Sequence, residues 1–182
     1  MRGYTFIFLF MLFFGICTKV KAQFRVGVTA GPVLSSLVRD SNLSARAGMV
    51  GYLVGGVAKL NIGELGWFFQ SGVTYTLEGD NDQHLNFVKV PLIIGFDASD
   101  DVNVHVAYNF AWQVGNQHGV QEFYKKNANI LGVGFEIYIS NKFTVGSRLN
   151  YGLSNLVSDP SGAKNFEVKS FTFDLYLTYF LK

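Results

Sequence analysis

Three features of this 182-residue sequence predict an all-β fold, specifically an eight-stranded antiparallel up-and-down transmembrane β-barrel. Apolar residues recur with period two through eight segments, one face of those segments is nearly free of charge, and the connections between them alternate in length. Period two marks a strand whose two faces meet different surroundings. It runs unbroken from Val102 to Val114. Val102, Val104, Val106, Tyr108, Phe110, Trp112 and Val114 fall on one face, with Asn103, His105, Ala107, Asn109, Ala111 and Gln113 on the other.

The expected strands are 24–31, 48–60, 66–78, 85–97, 102–114, 128–140, 142–154 and 168–181. The first is short, with extension into the following loop-like residues as the alternative. The first, second and fourth alternate less cleanly. In the third, Trp67, Phe69, Val73, Tyr75 and Leu77 oppose Phe68, Gln70, Gly72, Thr74, Thr76 and Glu78. The sixth sets Leu131, Val133, Phe135, Ile137 and Ile139 against Gly132, Gly134, Glu136 and Tyr138. The seventh sets Phe143, Val145, Leu149, Tyr151 and Leu153 against Thr144, Gly146, Arg148, Asn150 and Gly152. The eighth sets Phe171, Phe173, Leu175, Leu177, Tyr179 and Leu181 against Thr172, Asp174, Tyr176 and Thr178. Most are long enough to cross a bilayer, which takes a tilted strand roughly 9–11 residues. Connections near 61–65, 98–101 and 141 are short, and those near 32–47, 79–84, 115–127 and 155–167 are longer. That asymmetry belongs to outer-membrane barrels, with short periplasmic turns and long outer loops.

Residues 1–22 read as a secretory signal peptide, leaving residues 23–182 as one barrel domain. Arg2 starts a positive n-region, Tyr4 to Ile16 is an apolar run, and Val20-Lys21-Ala22 suits a signal peptidase. The run is too short to span a membrane, which takes about 20 residues. Cys17 lacks the small preceding residue of a lipoprotein site, since Ile16 stands there. Without Arg2, Lys19 and Lys21, the 15 basic residues fall to 12 against 13 acidic ones. The basic balance of the whole chain therefore argues for no nucleic-acid partner. The lone cysteine lies in the leader, so no disulfide is expected.

Which face points inward follows from volume and charge. An eight-stranded barrel has room inside for packed side chains or one small ligand. The bulky aromatic face would overpack it, so that face is expected to meet outer-membrane lipid, with Ser71 and Ser147 as its polar interruptions. Trp67 and Trp112 then suit the two interfacial girdles. The inward face carries Arg25, Lys59, Glu78, Lys89, Asp97, His105, Glu136, Arg148 and Asp174. Buried ions must be paired. A structural polar network of Glu136, Arg148, Asp174, Glu78 and His105 is expected, in which Arg148 neutralises Glu136, Asp174 or both. Inward glycines leave space for larger neighbours. The alternative is a soluble periplasmic lipocalin-like barrel, its aromatic face turned in around an apolar ligand.

No catalytic constellation is visible, and neither an enzyme nor a cofactor is expected. His84, His105 and His118 lack metal-ligand spacing. Gly132-Val133-Gly134 lies in a strand with no following helix, unlike a dinucleotide fingerprint. Asp80-Asn81-Asp82 reads as a solvated turn, His118 and Glu122 as solvated loop, and Lys125-Lys126 is too short for a basic patch.

Several segments stand in a particular order: Lys21-Ala22-Gln23-Phe24, Val28-Thr29-Ala30-Gly31 and Leu34-Ser35-Ser36-Leu37 at the start, and Phe87-Val88-Lys89-Val90-Pro91-Leu92-Ile93-Ile94-Gly95 in the middle. Gly132-Val133-Gly134-Phe135-Glu136 and Arg148-Leu149-Asn150-Tyr151-Gly152-Leu153 follow. In this order they resemble the PorT-type outer-membrane β-barrel family of Bacteroidota. The resemblance covers nearly all of residues 23–182 and implies an outer-membrane barrel handled by the barrel-assembly machinery. It brings no catalytic residues. One member type is associated with gliding and type IX secretion, but the generic barrel pattern does not place this chain in that subgroup; a link to secretion or cell-surface assembly, with an unknown protein partner, is an expectation of the resemblance alone. The chain departs from many such barrels in following Phe180 with Leu181-Lys182.

Overall fold

A computed structural model describes residues 23–39, 48–63, 65–80, 83–116, 126–156 and 168–181. The expected leader, most of the long connections, and His118, Glu122 and Lys125 lie outside them. Eight strands follow one another: β1 Gln23–Arg39, β2 Met49–Ile62, β3 Trp67–Asp80, β4 Gln83–Asp97, β5 Val102–Asn116, β6 Asn127–Tyr138, β7 Phe143–Gly152 and β8 Val168–Phe180. Each pairs antiparallel with the next, and β8 returns to β1, closing an up-and-down barrel.

Registry partners run round the wall from Phe24 through Leu60, Phe69, Ile94, Val106, Val133, Leu149 and Phe173 to Leu34. The path returns ten positions further along β1, and that stagger requires tilted strands. Every residue on it is apolar. Short turns are held by backbone bonds such as Ser99 N–H to the Val102 carbonyl (3.1 Å) and Phe143 N–H to that of Ser140 (3.3 Å). Gly63 and Gly66 adopt φ of 66° and 74°, where a side chain would be strained.

β1 runs to Arg39, so the short first strand does extend beyond residue 31 into residues that look like loop. Alternation continues past Pro32, with Val33, Ser35 and Leu37 buried inside. Leu181 donates to the Val26 carbonyl, so the alternating pattern makes Pro32 and Leu175 a hydrogen-bonding pair. Proline has no N–H to give there. The β1–β8 ladder lapses between the Ala30–Leu177 and Val33–Asp174 pairs, then resumes in the same register. Pro91 produces the same lapse opposite Gly72 in the β3–β4 ladder. Closure carries both strands across one lost bond.

The faces divide as the alternation requires. Outward lie Val106, Phe110, Val133, Phe135, Leu149, Leu175 and Leu177, all exposed, while inward Asn109 is buried. Among the described strand residues, Lys169 is the one charged outward side chain. It sits one residue inside the long-connection end of β8. Trp67 and Trp112 face outward at opposite ends. Trp67 packs edge-on against Phe96 (ring centroids 5.4 Å) and, across the barrel, Phe143 packs against Tyr179 (4.9 Å), both pairs at the short-turn ends of their strands. Tyr52, Trp112, Tyr151 and Phe171 mark the other rim. Along β3 the ten steps from Trp67 to Leu77 rise roughly 25 Å, at ~3.3 Å per residue and a tilt near 40°.

The interior is more apolar than a purely polar core. Leu37, Leu85, Phe87, Ala111, Ala128, Ile130, Leu156 and Val168 fill its long-connection end. Phe68, Ile93 and Ala107 form a second inward cluster. Inward Leu85, Phe87 and Ile93 explain the blurred alternation of β4, since a strand that adds apolar side chains to the lumen is apolar on both faces.

Candidate functional site

The lumen is built by rows in which a large side chain lies across a glycine on the next strand. In one row His105, Gly134, Arg148 and Asp174 are successive partners. A Cβ on Gly134 would come within 2.7 Å of His105 Nε2, so the missing side chain lets the imidazole reach Arg148. In the next row Gly146 separates Glu136 from Tyr176. A Cβ there would lie 2.5 Å from Tyr176 Cζ. The phenol crosses Gly146 toward Glu136.

Those crossings close a ring of hydrogen bonds over β5 to β8. Arg148 Nε donates to His105 Nε2 (3.3 Å), which leaves Nδ1 to donate to Asn103 Oδ1 (3.3 Å). Asn103 Nδ2 donates to Glu136 Oε2 (3.0 Å). Returning the other way, Arg148 Nη2 donates to the Tyr176 hydroxyl (3.1 Å), which donates to Glu136 Oε1 (3.1 Å). All five side chains are buried. Arg148 thus reaches Glu136 through a phenol. The ion pair of Glu136 is with Lys59 (3.7 Å), from β2 on the far side of the barrel. Lys59 is wholly buried, donates to the Tyr138 hydroxyl (2.6 Å) and lies over the Phe68 ring (3.7 Å). Tyr138 passes the chain on to Asp97 Oδ1 (2.9 Å), and Arg25 covers the Phe180 ring (4.7 Å).

Asp174, beside Arg148 in the register, accepts from Asn150 Nδ2 (2.8 Å) and Thr172 Oγ1 (3.2 Å). Glu78 stands apart from the ring and pairs with Lys89. Of the five residues expected to form a network, Glu136, Arg148 and His105 share the ring, Asp174 borders it, and Glu78 belongs to a second pair. Arg25, Lys59, Lys89 and Arg148 face Glu78, Asp97, Glu136 and Asp174, so the described lumen charges balance. Tyr176, Asn103 and Tyr138 complete the network without having been singled out by the sequence. Their only prior signal was inward parity. Among the described residues, no group of three or more His, Cys, Asp or Glu could hold a metal ion.

No family model matches the chain, and no curated protein does. Solved structures match its fold. Ail, the attachment invasion locus protein of Yersinia pestis, aligns with a TM-score of 0.55 at 15% identity, over 86% of this chain and 98% of Ail. Neisserial surface protein A aligns with a TM-score of 0.54 at 14% identity, over 87% of this chain and 97% of its own. The likeness is one of fold: a closed eight-stranded antiparallel barrel.

Proposed function

We propose that the chain is an integral outer-membrane barrel acting as a structural or interaction platform, with recognition carried by its outer loops. One observation carries this reading: the barrel is polar inside and apolar outside. Between its aromatic rims the described outward residues are aliphatic, aromatic or glycine apart from Ser71 and Ser147, while four cations and four anions lie inside, among them the Lys59–Glu136 and Lys89–Glu78 ion pairs. Water would reward the reverse arrangement, because exposing so wide an apolar band forfeits about 25 cal/mol per Å². Lipid rewards it, since a Lys or Arg at mid-bilayer costs roughly 2–4 kcal/mol. The lipocalin-like alternative needs Phe110 inside, and Phe110 points out while Asn109 points in.

A lumen filled by paired ions and an apolar layer favours a platform over a pore or an enzyme, and long loops on a rigid barrel are where specificity resides. That one neighbour in fold is an attachment invasion locus protein and another a surface protein supports a cell-surface role. The PorT-type resemblance suggests a link to secretion or cell-surface assembly, which a deletion strain assayed for secreted proteins would test. The main reading is tested by fractionation: the protein is expected in outer membranes, with heat-modifiable gel migration. Recovery as a detergent-free periplasmic monomer would overturn it.

A further inference from the structure

Midway along the lumen the side chains leave a cavity of about 30 Å³. Gln70, Thr76 and Asn150 line it, each almost wholly buried. Gln70 Oε1, Thr76 Oγ1 and Asn150 Oδ1 have no protein hydrogen-bond partner. Lys89, Arg148 and Asp174 border the same space. A buried polar group left unsatisfied costs about 1–3 kcal/mol, so three such groups on side chains that line one cavity call for hydrogen-bond partners.

We infer that this cavity is a buried hydration site, holding about two ordered waters that donate to Gln70, Thr76 and Asn150. Size and chemistry both select water. One molecule needs roughly 10–15 Å³ of such space and two to four polar partners. A metal ion would face the Lys89 and Arg148 cations. An anion would face the Asp174 carboxylate and the amide oxygens of Gln70 and Asn150, and an apolar molecule would leave all three polar groups unpaired. Water donates to the oxygens and accepts from the cations. Occupied in this way, the cavity joins the Glu78–Lys89 pair to the Arg148 ring, and the lumen becomes one connected polar core.

The inference stands apart from the membrane reading, because a soluble barrel with the same lumen would hold the same waters. A crystal structure of the full chain in detergent, at a resolution that shows ordered solvent, tests it. Water density within hydrogen-bonding distance of at least two of the three oxygens is expected. A cavity closed by a shifted side chain, or one found dry, overturns it. Crystals soaked in bromide supply the second arm. Bromide in the cavity would mark an anion site and overturn the water assignment; its exclusion supports it. The paired substitutions Thr76→Val and Gln70→Met should remove at least one of these waters while heat-modifiable migration persists. Unchanged solvent density in that variant would also overturn the proposal.

Discussion

Replacing Val106 by Arg separates lipid from water as the surroundings of the barrel. Val106 is 52% exposed and lies four residues inside the short-turn end of β5, within the apolar band. If water covered this face, Val106→Arg would be an ordinary surface change, within about 0.5 kcal/mol of neutral. In lipid, the guanidinium must be carried into the hydrocarbon at roughly 2–4 kcal/mol, with the cost falling to about 0–1 kcal/mol near the interface. At 1.4 kcal/mol per decade, the deep site loses roughly 30- to 700-fold in its folding equilibrium. Asn129→Arg, outward and near the long-connection end of β6, is the control and should cost about 0–1 kcal/mol. Reversible urea unfolding in phosphocholine vesicles, followed by emission from outward-facing Trp67 and Trp112, gives both values. Equal and negligible costs at the two positions would refute the assignment of this face to lipid.

Other consequences follow from the lumen. Tyr176→Phe removes the hydroxyl between Arg148 and Glu136 and leaves two charged groups each one partner short, at a cost of about 1–3 kcal/mol in the same unfolding assay. Lys59→Met leaves Glu136 without its ion pair and should cost about 3–5 kcal/mol. Adding Glu136→Gln should recover part of that loss, and strict additivity would mean the two residues are uncoupled. Gly134→Ala drives a methyl into His105 Nε2 and the Ser147 carbonyl, whereas the nearest atom to a Cβ on Gly56 is 3.9 Å away. The first should destabilise by about 1–3 kcal/mol; the second should be neutral or better. Planar-bilayer recordings should show no steady conductance, because charge pairs and an apolar layer fill the bore; stable open-channel currents would contradict this.

Local chemistry made the barrel readable, and long-range geometry hid the pairings inside it. Alternation is a property of neighbouring residues, so Val102 to Val114 declared its two faces directly. How far the first strand runs was left open, because loop-like residues follow Gly31; the strand continues since Pro32 costs only one bond of a ladder that resumes beyond it. β4 blurred because Leu85, Phe87 and Ile93 turn apolar groups inward. Glu136 and Arg148 were legible as near neighbours across one hairpin, and the register does place them diagonally. What inserts Tyr176 between them is the empty side of Gly146, visible only once β8 is set beside β7. The Lys59–Glu136 pair is further still from sequence view. It joins strands on opposite walls and depends on the stagger of the whole barrel. Lys169 shows that the outward face tolerates charge at a rim.

The central claim is that lipid covers the outward face. Fluorescence quenching of Trp67 and Trp112 by brominated phospholipids measures it most directly. With the intact protein in vesicles, both tryptophans should be quenched most by bromine placed shallowly in the acyl chain and little by aqueous iodide. Strong iodide quenching of both, with no response to brominated lipid at any depth, would show that water covers this face and would contradict the account.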